Sequence, residues 1–285
     1  MTGGEGGLMQ QTKPGVGGEN TGRNGRTALE RTALWVLYAV LAIAVLALLA
    51  VLLPGPLYRI GIFSLGGAFR SITYGAYGGL AAAALAVVVV LPLMSIARSG
   101  ARRFIGPVLA IVLGAIAWGV PYTLLKKAES VPPIHDITTD TRNPPQFLPD
   151  VLALRAAAHA TNSTVYGGPK IAVLQKKAYP DIRPMLFKLP AREVFADALR
   201  AVKAMGWKLD SEHPGMGIIE ASSTTFWFGF TDDVVIRIEP QPEGSRLDIR
   251  SESRIGESDL GRNAARILRF RAMLYRKMGL PAPGR

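Results

Sequence analysis

His135, Asp136 and Asp140 stand close together in the stretch IHDITTDTRNPPQF, residues 134–147. Histidine and carboxylates at such spacing invite a test for metal or acid–base chemistry. A calcium loop needs oxygen ligands at alternate positions and a glycine at the sharp turn, and DITTDT has no glycine. Zinc asks for two or more His or Cys ligands; the chain has no cysteine, and His159 and His213 are not at ligand spacing from His135. Asp and Thr side chains instead bond readily to nearby backbone amides in tight turns. The stretch therefore reads as a stiff, self-capped connector. Whether His135 and Asp136 fold back onto the cluster around Arg254 stays open at this level.

A second constellation is larger. Glu220, Asp232 and Asp233 lie on or beside neighbouring strand segments, while Arg250, Arg254, Asp259, Asn263 and Arg266 fall where the last strand runs into the last helix. A helix N-terminus with adjacent arginines can hold an anion, and Ser253 and Ser258 would add donors. The same residues can equally pair with one another and fix the strand–helix junction, or host an enzyme site. A third group, Phe226-Trp227-Phe228-Gly229-Phe230, puts Phe226, Phe228 and Phe230 on one face if it is a strand, with Trp227 on the other. It serves either as core or as a lip facing a membrane or partner. No G-x-S-x-G nucleophile elbow occurs. The glycine pairs at 167–168 and 215–217 lack the strand–turn–helix setting of phosphate loops. No catalytic residue, metal or cofactor is assigned.

The elements that carry these residues begin with a strongly apolar half. Hydrophobic residues make up 49% of the 285-residue chain, and the excess is concentrated before residue 126. Residues 33–53, 71–97 and 104–125 carry no charge. A hydrocarbon core of ~30 Å needs about 20 helical residues, so each run is long enough to span. The first is followed by LLPGPLYR rather than a small-x-small cleavage site, so it reads as a retained anchor. Residues 1–28 are glycine-rich and nearly devoid of large apolar side chains, which predicts a disordered tail. Residues 29–126 then form the three-helix transmembrane region. Gly75, Gly78, Gly79 and Ala81 to Ala84 in the second span predict close packing against the other two. Between the first two spans, PGPLYRIGIFSLGGAFR is semi-apolar, and fits either an interfacial segment or a plain loop.

Lys13, Arg23, Arg26 and Arg31 precede the first span, and Arg98, Arg102 and Arg103 follow the second, against Arg59 and Arg70 between them. The positive-inside rule places the N-terminus in the cytoplasm and the C-terminal part outside, which in a Gram-negative bacterium is the periplasm. A domain there does not meet nucleic acid.

Residues 127–285 are long enough for one domain with its own core. Prolines at 132, 133, 144, 145 and 149 bias the entry to extended geometry. Asp150 is placed as the cap of a short helix to about Ala160, followed by a loop over residues 162–170. A helix follows Pro190, with Val194, Phe195, Ala198, Leu199 and Val202 on one face and Gly206 at its end. Four strands are expected, beginning at 207–209 and continuing at 217–223, 233–239 and 246–252. Pairing Glu239 with Arg246 sets Arg237 opposite Asp248, on a solvent-facing side. Ser258 or Asp259 caps a final helix with Leu260, Ile267, Phe270 and Leu274 as its stripe. The expected class is α+β: three transmembrane helices, then a four-stranded antiparallel sheet with both helices on one face.

The stretches IHDITTDTRNPPQF, QKKAYPDIRP (175–184), IEASSTTFWFGFTDDVVIRI (219–238) and RSESRIGESDLGRNAARILRF (250–270) together resemble the bacterial and plastid family known as domain of unknown function 1499, over roughly residues 130–278. The multi-span N-terminal half is similar to α-proteobacterial members. The resemblance implies membrane association and an envelope location, and supplies no catalytic residues. The leading expectation is an inner-membrane protein whose partners are the lipid bilayer and an anionic envelope ligand or a membrane protein. The alternatives are an envelope enzyme acting on an anionic lipid or glycan, and a structural subunit of a membrane complex.

Overall fold

A computed structural model of the chain describes residues 18–281, with side chains from residue 27. Residues 1–17, most of the tail expected to be disordered, lie outside the described residues. The described residues divide into two compact units: one runs up to Leu53 and resumes over Gly66–Pro121, and the other joins Pro54–Leu65 to the chain from Tyr122 onward.

The first unit is helical. Helix α1 spans Gly18–Leu52 and so begins inside the segment expected to be disordered. The next long helix runs through α3 (Leu65–Leu85), one π turn (Ala86–Val90) and α4 (Leu91–Ala97); a 3-10 turn (Ala101–Phe104) leads into α5 (Ile105–Ser130). The π turn sits just before Pro92, whose missing N–H and bulky ring disturb the regular ladder. Three stretches, Thr27–Leu52, Leu65–Ala97 and Ala101–Ser130, are long and apolar enough to cross a membrane.

Their packing follows from small residues. On α1, Ala33, Leu37, Val40, Ala44, Ala47 and Val51 are buried, a spacing of three and four that makes one stripe. A Cβ at Gly75 would lie 2.8 Å from the Ala47 carbonyl oxygen, and one at Gly79 would lie 2.8 Å from the Gly114 carbonyl oxygen. The expected close approach of the second helix to both others is thus present, α1 meeting Gly75 and α5 meeting Gly79.

The second unit opens with the short helix α2, Pro54–Arg59, and then holds the α+β fold. Its elements are β1 (Asp136–Thr138), α6 (Pro149–Ala157), α7 (Gly168–Ala178), β2 (Met185–Phe187), α8 (Ala191–Ala204), β3 (Lys208–His213), β4 (Ile218–Thr224), β5 (Thr231–Gln241), β6 (Gly244–Ser253) and α9 (Arg262–Lys277). The sheet has six strands, not four, in the antiparallel order β1-β6-β5-β4-β3, with β2 also on β6. The two extra strands share the outer edge of β6: β1 takes residues 250–252 and β2 takes 245–247. Three-residue strands carry no period of their own, so pairing alone defines them. The loop expected over 162–170 gives way to α7 at Gly168.

The expected hairpin register holds. Glu239 faces Arg246 and Arg237 faces Asp248. Helices α8 and α9 cover one sheet face as expected, with Val194, Ala198 and Val202 of α8 and Ile267, Phe270 and Leu274 of α9 against Val234, Ile236, Leu247 and Ile249. Trp207 stacks on Phe270 at 5.6 Å. The opposite face is not open to solvent as expected. Asp233, Val235, Asp248, Arg250 and Glu252 on it are all buried, beneath residues 139–148 and α6.

Candidate functional site

Period-two alternation decides where the charged candidates go. Asp233, Arg250, Glu252 and Arg254 point to the face away from α8 and α9, and β1 adds Asp136 there, since Asp136 is registered on Glu252. Arg250 donates from Nε and Nη2 to the two oxygens of Asp136, at 2.9 and 2.8 Å. It also donates to the carbonyls of Pro145 and Thr164 and, at 3.2 Å, to Glu252. Arg155 of α6 reaches over the face to Asp233 at 2.7 Å and Glu252 at 3.0 Å. Arg254 completes the chain of pairs on Asp233 at 2.7 Å. Burial, and after it the neighbouring Asp136 charge, pushes the Glu252 carboxyl up to about 8 against the opposing pull of Arg155 and Arg250.

Glu220 shares this face without an arginine. Its oxygens accept from the Leu148 amide at 2.8 Å and the Ser211 hydroxyl at 2.7 Å, and burial holds its pKa above the usual carboxylate range.

Asp232, Asp259, Asn263 and Arg266 form a separate cluster at the junction of β6 and α9. Arg266 pairs with Asp232 and reaches the Ser251 hydroxyl at 2.9 Å. The Asn263 amide donates to the His135 carbonyl at 2.7 Å and to Ser253 at 3.0 Å. Asp259 accepts from the Gly261 and Asn263 amides, which caps α9 from two residues before its Gly261 N-cap. Leu260 lies outside the helix in a left-handed turn (φ 56°) rather than on the stripe. The single expected constellation is therefore two clusters on opposite faces of the sheet. In each, the hydrogen-bonding groups are largely spent on one another.

The stretch IHDITTDTRNPPQF is likewise more than a connector. Its first part is β1, and Asp136 folds back onto the cluster around Arg254, at Arg250. His135 contributes its carbonyl, which accepts from the Ser253 amide at 3.0 Å. Gln175 of α7 completes the free edge of β1: its amide accepts from the Thr138 N–H at 3.0 Å and donates to the Thr138 carbonyl at 2.7 Å, as a neighbouring strand would. The turn chemistry expected of Asp140 is present, with the Arg142 and Asn143 amides donating to its Oδ1 at 2.9 and 3.0 Å. Burial alone would raise the Asp140 pKa. The two amides, with Arg246 and Arg237, outweigh it and bring the carboxyl below its ordinary value.

Arg155, Glu252 and Gln175 were not singled out from sequence. Gln175 and Glu252 fall in motifs that carried the resemblance. Asn162 donates to the Ser253 and Gly256 carbonyls.

Open space lies beside this turn. A cleft of about 500 Å³ is lined by Thr139, Asp140, Arg142, Lys176, Arg183 and Arg246 among others. A second, of about 720 Å³, shares Thr141, Arg142 and Lys176 with it and extends along Gln146, Tyr166 and α7. Arg246 is bound to Asp140 and Asp248. Arg142, Lys176 and Arg183 have no ion pair among the described residues, and Arg183 donates to the Pro180 carbonyl at 2.7 Å. Tyr166 keeps a buried hydroxyl that has no hydrogen-bond partner among the described residues. Burial, then Asp136, raises its pKa.

Fold and site together define a class of protein: a six-stranded α+β domain, stiffened by buried ion pairs, carried behind three long apolar helices. Residues 136–274 match the family described as protein of unknown function (DUF1499), and the α+β domain belongs to that family. No curated protein and no solved structure matches the chain.

Proposed function

We propose that this chain is an inner-membrane protein that crosses the bilayer three times with its N-terminus in the cytoplasm. Its periplasmic α+β domain binds an anionic component of the envelope without transforming it. The observation that carries this reading is the contrast between paired and unpaired charge. The buried arginines and carboxylates satisfy one another, whereas among the described residues Arg142, Lys176 and Arg183 present cations without carboxylate partners around one cleft, with Arg246 behind them. Cations on a concave wall favour phosphate, sulfate or carboxylate groups. Tyr166 adds an unsatisfied hydroxyl to the adjoining cleft.

Native mass spectrometry of the full chain, released from nanodiscs, identifies what occupies the cleft. Arg142→Glu combined with Lys176→Glu is expected to weaken binding of anionic phospholipid or anionic glycan by about tenfold or more, roughly 1.4 kcal/mol. Unchanged binding would remove the cleft from the proposal. Turnover on a lipid or glycan panel that vanishes in a folded Arg254→Ala variant would replace binding with catalysis.

A further inference from the structure

The tip of the β4–β5 hairpin, residues 225–230, is a closed turn and not a stretch of strand. The Thr225 amide donates to the Phe230 carbonyl at 2.8 Å, the Gly229 amide to the Thr225 carbonyl at 3.0 Å, and the Phe230 amide to the Thr225 hydroxyl at 2.9 Å. Gly229 supplies the left-handed φ of 72° that the turn requires. Phe228 and Phe230 stack at 4.8 Å.

Helix α2 closes over these rings. Tyr58 lies 5.8 Å from Phe228 and 5.9 Å from Phe230. Arg59 donates to the Phe226 carbonyl at 2.8 Å. A Cβ on Gly55 would lie 2.6 Å from the Trp227 ring, so α2 and the tip are in direct contact. Large apolar side chains of this block are bare: Phe226 is 92% exposed, Ile60 70% and Ile62 63%.

The chain itself limits where this block can be. Helix α1 ends at Leu52 and α3 begins at Leu65, so the intervening segment is bonded at both ends to helices long enough to cross a bilayer. Each residue reaches at most ~3.6 Å, which keeps α2 within headgroup depth of both. Aromatic rings with an adjacent arginine are the side chains that partition to that depth.

We propose that α2 and the β4–β5 tip form a bilayer-interface anchor, in which Phe226, Ile60 and Ile62 enter the boundary between headgroups and acyl chains. The occupant of this surface is phospholipid. The proposal rests on the three-span reading above, and the test separates the two.

The chain has no cysteine, so Phe226→Cys, Val88→Cys and Val173→Cys each give a single site for an environment-sensitive fluorophore. All three positions are exposed, so the fold should tolerate the label. Val88 lies in the second apolar helix and Val173 on α7. The full chain is placed in nanodiscs of phosphatidylglycerol and phosphatidylethanolamine, with lipids spin-labelled near the headgroup and iodide as aqueous quencher. The label at Phe226 is expected to be quenched by lipid at least about twofold more than that at Val173, and to be protected from iodide by a similar factor. Lipid quenching at Val88 with none at Phe226 overturns the anchor while leaving the spans standing. Protection from iodide without lipid quenching assigns the surface to a protein or a second copy, and also overturns it. Aqueous behaviour at Val88 removes the three-span reading and the anchor with it.

Discussion

Arg250 has no solvent-exposed surface, and the fold supplies everything its guanidinium needs. Asp136 meets it with both oxygens, and two backbone carbonyls take further N–H groups. Removing one partner of such a pair strands the other without water. Arg250→Met is therefore expected to cost about 3–5 kcal/mol of stability, read as a lowered unfolding midpoint. Glu252 makes the same network sensitive to pH. Its carboxyl binds a proton more tightly folded than unfolded, so the associated stability is complete below 4.5 and is lost as pH rises towards about 8. Unfolding midpoints measured across that window should fall with pH in the native chain, and Glu252→Gln should flatten the slope. An unchanged slope would assign the titration elsewhere.

Edges and crossings govern at the scale of elements. Strand β1 is three residues long, and Gln175 replaces the neighbour it lacks. Gln175→Ala leaves a buried N–H and C=O of Thr138 unpaired, a loss of about 1–3 kcal/mol, visible as faster amide exchange along β1. Among the helices, α3 and α5 touch backbone to backbone where Gly79 and Gly114 cross. Gly79→Leu should push them apart and lower the thermal stability of the detergent-solubilised chain. Gly66→Leu, at a position with open space around it, should not. A drop of the same size at both positions would mean that helix propensity, and not the crossing, set the result.

For the whole molecule, the orientation proposal predicts that a periplasm-active reporter fused after Arg285 is active and a cytoplasm-active one is silent. The reverse result would overturn the membrane orientation and return nucleic acid to the range of partners. The cleft and the aromatic block are different surfaces of one domain. Their variants should therefore separate, with charge reversal at Arg142 and Lys176 affecting ligand binding and labels at Phe226 reporting lipid.

What was legible in the chain was what local chemistry dictates. Uncharged runs specify three long apolar helices because backbone polar groups in an apolar medium must bond within their own segment. Period-two patterns specified β5, β6 and their register, and period-3.6 patterns specified α8 and most of α9. Short strands β1 and β2 were hidden because three residues carry no period, and each exists only by adding to the edge of β6. The candidate charges were visible, but their partners were not. Asp136 lies 114 positions from Arg250, and Arg155 lies 78 from Asp233. Alternation sent Asp232 to the face that α9 covers and Asp233, Arg250 and Glu220 to the other. The aromatic run would split its rings between two faces if it were a strand, yet Thr225 and Gly229 bend it into a turn that α2 can cover. Amino-acid type thus determined which segments are helical, apolar or charged, since those are properties of neighbours in the chain. Which charges neutralise one another, and which are left facing a cleft, was decided only when the sheet brought distant residues within hydrogen-bonding range.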